Sequence, residues 1–199
     1  SKLENIAVLS QSGAGGTGIW VKSNYCSLIS VSSNGHAALG IKIGSEAGAA
    51  LNCNCWYLER VTAAQNGTHG VYIADLFNAI GDPDVNAGVF IGGDLRSNGG
   101  DGLLLGNQFK NTFINILAED NTGYGIRYGV NALQCTFVGG DTDEGNTAGN
   151  FLIEGTSAMM IGAGGSSFTD SGTNTQFIGY AGSKFLTPQI TGAATCIGN

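Results

Sequence analysis

Proline is nearly missing from this chain: Pro83 and Pro188 are its only two, which excludes both collagen and a Pro-rich spacer. Charge is also scarce. Charged residues make up 12% of the 199, against about a quarter in an ordinary domain, too few to coat the solvated faces of helices. Eight Lys and Arg stand against fifteen Asp and Glu, for a net charge of -7. Phosphate backbones need clustered cations, so nucleic acid is excluded as a partner, and anionic membrane surfaces with it. No apolar run approaches the roughly 20 residues of a bilayer-spanning helix, so no membrane insertion is expected. The opening "SKLENIAVLS" lacks the pattern of a signal peptide. Histidine is limited to His36 and His69, and no CxxC pair occurs among the five cysteines, so neither a metal site nor a cofactor is expected. Five is an odd number, and free, mostly buried thiols are expected in place of a disulfide framework.

Glycine is abundant instead, with 34 residues, and it recurs in a phrase. "GIWV" starts at Gly18, "GIKI" at Gly40, "GVYI" at Gly70, "GLLL" at Gly102 and "GIRY" at Gly125; "NFLI" at Asn150 and "TQFI" at Thr175 complete the series. The steps are 22, 30, 32, 23, 25 and 25 residues, so the strand is constant and the connecting loops vary. Two further columns keep the register: Asn66, Asn98, Asn121 and Asn146 stand four before an opener, and Leu58, Phe90, Phe113 and Val138 stand twelve before. Repetition of this kind reads as a stack of coils, each hydrogen-bonded to its neighbours at about 4.8 Å. The expected fold is all-β: a single-stranded parallel β-helix of about seven coils in one domain over residues 1–199, whose abrupt start would suit part of a longer chain. Alternation turns Ile19, Val21, Ile41, Ile43, Val71, Ile73, Leu103 and Leu105 inward. The asparagines are expected in left-handed turns, their amides bonded from coil to coil.

The residues between the inward ones face outward: Trp20, Lys42, Tyr72, Leu104, Arg127, Leu152 and Phe177. Five of these seven are large and apolar, the mark of an interaction surface. Trp20, Tyr72, Leu104 and Leu152 are accordingly expected at an oligomer interface between three copies, with a covering loop of the same chain as the alternative. Six before successive openers stand Arg96, Glu119 and Glu144, with Asp94, Asp120, Asp141 and Asp143 close in sequence. Stacked carboxylates repel, and one relieves the repulsion by holding a proton; a protonated and an ionised carboxyl are the machinery of glycoside hydrolysis. Glu119, Glu144 and Asp143 are therefore the candidate catalytic residues, and Arg96, Asp94, Trp56 and Tyr124 the candidate substrate contacts. The alternative is a row of solvated turn residues with Arg96 bridging to Glu119.

The phrases "GVYI", "NGGDGLLLG", "NTFINILAEDNTGYGIRYG" and "CTFVGGDTDEG" resemble the right-handed parallel β-helix of bacteriophage tailspikes and related pectate-lyase-like proteins, over roughly Asn5 to Gly179. The resemblance implies a right-handed solenoid forming a homotrimer on a virion tail, outside the cell, that recognises a bacterial surface polysaccharide and often cleaves it with Asp and Glu on the lateral face. A secreted or cell-surface bacterial protein is the alternative setting. A non-catalytic glycan binder, a structural tail segment and a polysaccharide lyase are the alternative activities. The calcium-binding pattern of pectate lyases is absent from the sequence, and a lyase has only Arg96 as a lateral arginine.

Overall fold

A computed structural model describes residues 1–10, 16–45, 52–75, 84–142, 145–162, 168–178 and 195–197. All of the regular structure described is β, and every pairing between strands is parallel. One sheet of seven strands stacks Ile19–Val21, Ile41–Ile43, Val71–Ile73, Leu103–Leu105, Tyr124–Tyr128, Gly149–Ile153 and Phe168–Asp170. The first six are the strands of the repeated phrase, in the expected register: Val71 pairs Leu103, which pairs Ile126, which pairs Phe151. The seventh is a correction. Phe168–Asp170 continues this sheet by stacking on Phe151–Ile153, whereas the "TQFI" strand, Gln176–Ile178, stacks on Met159–Ile161 in the other sheet. Phe177 consequently points into the core and is not part of the outward column.

The second sheet, of twelve strands, is bent into two faces. The long strands Tyr57–Thr62 and Val89–Arg96 cross the bend at Arg60 and Gly92, both of which have positive φ. On one side of the bend Leu28, Leu58, Phe90, Phe113, Phe137 and Met160 form an inward column. Phe137 occupies the place expected of Val138, which pairs Ile114 on the outward side. On the other side Ser32, Thr62, Asp94, Leu117 and Asp141 are successive neighbours. The coil is therefore three-sided.

Three left-handed residues per coil make the corners. Tyr25, Ser30 and Gly35 recur as Cys55, Arg60 and Gln65, as Ala87, Gly92 and Ser97, and as Lys110, Asn115 and Asp120, all with φ between 49° and 75°. The ladder asparagines are one residue past the corner, not in it. Asn66 Nδ2 donates to Asn98 Oδ1 at 3.0 Å, Asn98 to Asn121 at 2.9 Å and Asn121 to Asn146 at 3.0 Å. Each Oδ1 also accepts the backbone N–H of the asparagine in the preceding coil, at 3.1 Å. The opener glycines are tied to this ladder. A Cβ on Gly102 would stand 2.8 Å from Asn121 Nδ2 and 2.7 Å from the Gly125 carbonyl oxygen; at such separations the ladder amide excludes any side chain.

Between the three faces lies a continuous core. Phe113 and Phe137 stack with centroids 4.9 Å apart, Phe137 meets Phe151 edge-on at 5.4 Å, and Phe151 stacks on Phe168 at 5.2 Å. Aromatic pairs in these geometries add about 0.5–1.5 kcal/mol each beyond their burial. Trp56 belongs to this core: it is 1% exposed, lies 6.3 Å from the Phe113 ring and fills the space beside Gly88. It offers no face to a sugar, and its expected role as a substrate contact is withdrawn for that reason.

Candidate functional site

The expected acidic column is on the second arm of the bent sheet. Its described part does not stack carboxylates. Glu119 is the register neighbour of Arg96, and Leu117 separates Asp94 from Asp141. Arg96 forks onto Asp94 of its own strand, Nε to Oδ1 at 2.6 Å and Nη2 to Oδ2 at 2.9 Å. The column is thus a mixed-charge surface with both partners of that pair well exposed. Asp143 and Glu144 lie outside the described residues.

A different grouping forms on the outer face of the seven-stranded sheet. Trp20, Lys42, Tyr72, Leu104, Arg127 and Leu152 are register neighbours in that order, one rung of about 4.8 Å apart. This outward column is as expected, but it is not a bare apolar stripe. The ammonium groups of Lys22 and Lys42 lie 3.4 and 4.1 Å from the centre of the Trp20 ring, close enough for cation–π attraction. Trp20 Nε1 donates to the Gly44 carbonyl at 2.9 Å, and Leu152 is 9% exposed. Arg127 Nε donates to Glu154 Oε2 at 2.8 Å, a contact that raises the arginine further above its ordinary value.

What remains open is a cleft of about 250 Å³ lined by Tyr72, Leu104, Arg127, Val130, Asn131 and Glu154. That is slightly below the roughly 300 Å³ at which whole small-ligand sites begin, a volume suited to one ring of a polymer. Its floor is apolar, from Tyr72 and Leu104, and its wall is the Arg127–Glu154 pair, which supplies donors and acceptors side by side. The Tyr72 phenol, raised further above its ordinary value by burial, is a donor at neutral pH as any phenol is.

Beside the cleft, the residues just before three successive openers come together: His69, Asp101 and Tyr124. The His69 and Tyr72 rings have centroids 6.3 Å apart. Asp101 is buried, and its Oδ1 accepts the Tyr124 N–H at 2.8 Å. Of the expected substrate contacts, Tyr124 is joined to this group through its backbone N–H and does not line the cleft, while Arg96 and Asp94 are on another face. Sequence reasoning missed His69, Asp101, Arg127 and Glu154 as a group. For two of them the signal was available: Arg127 and Glu154 stand two and four after an opener, of one parity and hence on the outer side of the strand, whereas His69 and Asp101 stand one before an opener, with the other parity, and alternation gives no sign of them. Among the described residues no cluster of three or more His, Cys, Asp and Glu could hold a metal ion.

The stacked parallel sheets, the three corners per coil and the amide ladder define a right-handed parallel β-helix. A similar solved structure is the mannuronan C-5 epimerase A-module of Azotobacter vinelandii, with a TM-score of 0.51 and 14% sequence identity, covering 81% of this chain and 46% of that one. The chain thus spans about half the length of that module, and the likeness is one of fold. No protein-family model matches the chain, and no curated protein matches its sequence.

Proposed function

We propose that the protein recognises a polysaccharide laid along the outer face of its seven-stranded sheet. The observation that carries the reading is the cleft in which Tyr72 and Leu104 make an apolar floor against the Arg127–Glu154 pair. A pyranose presents C–H bonds on its faces and hydroxyls around its edge; it therefore asks for a ring to lie on and for paired donors and acceptors at its rim. Regular rungs below and above the cleft suit a repeating polymer, with the Lys22–Trp20–Lys42 cluster about three rungs from Tyr72's neighbour Leu104 on the same side. The similar β-helix module is named for an enzyme acting on mannuronan, which supports a glycan over other polymers.

Recognition is the reading argued because its cleft lies wholly among the described residues, whereas of the acidic column's partners for Glu119 only Arg96 does. A bacterial surface polysaccharide, as the tailspike resemblance implies, is the ligand class tested. On an array of oligosaccharides from bacterial capsules and lipopolysaccharides, the protein should retain at least one ligand. Tyr72→Ala and Arg127→Ala should each weaken retention about tenfold, the equivalent of roughly 1.4 kcal/mol, while Glu119→Gln should leave it unchanged. An array with no retained ligand, or retention indifferent to both cleft variants, overturns the reading. Incubation with the retained polymer reports on the hydrolytic alternative: reducing ends released by the protein and lost in Glu119→Gln would place chemistry on the acidic face.

A further inference from the structure

One backbone hydrogen bond fixes the state of a histidine beside the cleft, and the role given to it below rests on the glycan reading. The Asp101 N–H donates to His69 Nδ1 across 2.9 Å. A peptide N–H can only donate, so Nδ1 must present its lone pair, and the ring proton must sit on Nε2. The Asp101 carboxylate does not compete for this arrangement. Its Oδ2 is 3.5 Å from the same nitrogen, lone pair facing lone pair, and its Oδ1 is engaged by the Tyr124 N–H at 2.8 Å.

The surroundings keep the imidazole uncharged. Burial acts first and lowers His69 below its ordinary value; Asp101 opposes this, and the Arg127 cation acts with it. The Tyr72 phenol beside it is raised by burial and carries no charge at the pH where a histidine titrates. Protonation of Nδ1 would in addition break the bond from Asp101. The ring is one-quarter exposed, and among the described residues Nε2 makes no hydrogen bond. A donor is therefore held ready, in one tautomer, beside Tyr72 and near Arg127, with nothing in the described chain to receive it.

We propose that His69 is a specificity-determining residue of the glycan site, locked by the Asp101 N–H with its proton on Nε2 and donating that proton to an acceptor oxygen of the sugar bound beside Tyr72. The chemistry it selects is an oxygen with a lone pair to offer at that position, whether hydroxyl, ring, carbonyl or carboxyl, over an ammonium group, because a group that can only donate meets another donor there. Asp101 is a positioning residue that acts through the imidazole.

With only two histidines in the chain, nitrogen-15 NMR of the imidazoles reads the lock directly. At pH 7 His69 should show the neutral Nε2–H form, and its titration midpoint should lie below the ordinary value of about 6.5. Asp101→Asn keeps the backbone N–H and hence the tautomer, but removes the one influence that raises the midpoint, so the midpoint should fall further. A proton on Nδ1, or a charged ring at pH 7, overturns the inference. The functional arm uses the oligosaccharide best retained on the array. His69→Phe should weaken binding about tenfold, and His69→Gln, whose amide also donates, should recover most of the loss. Full affinity in His69→Phe alongside loss in Arg127→Ala overturns the donor role and leaves the glycan reading standing. Failure of the unaltered protein to bind any glycan removes both, even with the tautomer as stated.

Discussion

Two cysteines separated by one residue show how strongly a single backbone angle decides reactivity. Cys55 has a φ of 55° and is exposed, whereas Cys53 is fully buried with its Sγ 3.4 Å from the Val21 carbonyl. Strand spacing alone sets both on one face; the left-handed corner at Cys55 turns it away. Burial pushes the Cys53 thiol up to about 11, and the Cys135 thiol likewise to about 11. Alkylation proceeds through the thiolate, so Cys53 and Cys135 have almost none to offer near neutrality. Iodoacetamide at pH 8 followed by mass spectrometry should modify Cys55 rapidly, and Cys53 and Cys135 only once denaturant is added. Equal labelling of Cys53 and Cys55 in the native protein would mean that the corner is not formed.

At the level of elements, the asparagine ladder and the glycine openers are one device. Asn98 is almost wholly buried; its Oδ1 accepts from Asn66, and its Nδ2 donates to Asn121 and to the Ala63 carbonyl at 3.0 Å. Asn98→Ala therefore takes the acceptor from the Asn66 backbone and amide N–H groups and the donor from the Ala63 carbonyl in the coil before, and removes one of the two donors to Asn121 Oδ1 in the coil after. With about 1–3 kcal/mol for each buried group left unpaired, a loss of roughly 2–4 kcal/mol is expected in denaturant melts, and Asn98→Asp should cost at least as much, because it turns an acceptor toward the Asn121 oxygen. A change below about 0.5 kcal/mol would contradict the ladder. This device was legible in the sequence, since an amide and a missing side chain recur at fixed offsets, and six of the seven rungs of one sheet were legible with it. Two other features were not. The left-handed corners fall on Tyr25, Arg60, Lys110 and Gln65 as readily as on glycine, because the ladder and the adjoining strands hold the conformation whatever the residue type. The strand at Phe168 was hidden because the preceding coil takes 17 residues, from Phe151 to Phe168, instead of the usual count, and "SSFTD" opens on serine. For the site, the outward column was legible from alternation. The partnership of His69 with Asp101 was not, because it depends on which coil's backbone N–H meets which ring.

For the molecule as a whole, the outward column has two competing uses. The apolar character of the column assigns Trp20, Tyr72, Leu104 and Leu152 to contacts among three copies, the assembly that the tailspike resemblance also implies; the glycan reading assigns the open part of the same surface to a sugar. Within one chain Trp20 carries two lysines over its ring and Leu152 is buried, so that at the cleft the apolar surface of the column is that of Tyr72 and Leu104, joined by Val130 from beside it. A stable interface buries about 1,200–2,000 Å², far more than these side chains supply, so neighbouring faces would have to join in. Leu104→Glu separates the two uses because it sets a carboxylate at the centre of the column without touching the ladder or the core. On the glycan reading, sedimentation velocity should give the same coefficient for this variant and the unaltered protein over a wide concentration range, while retention of the oligosaccharide falls about tenfold, or roughly 1.4 kcal/mol. Sedimentation of the unaltered protein as a trimer, with Leu104→Glu as a monomer, would return these residues to an interface and leave the cleft facing another copy of the chain.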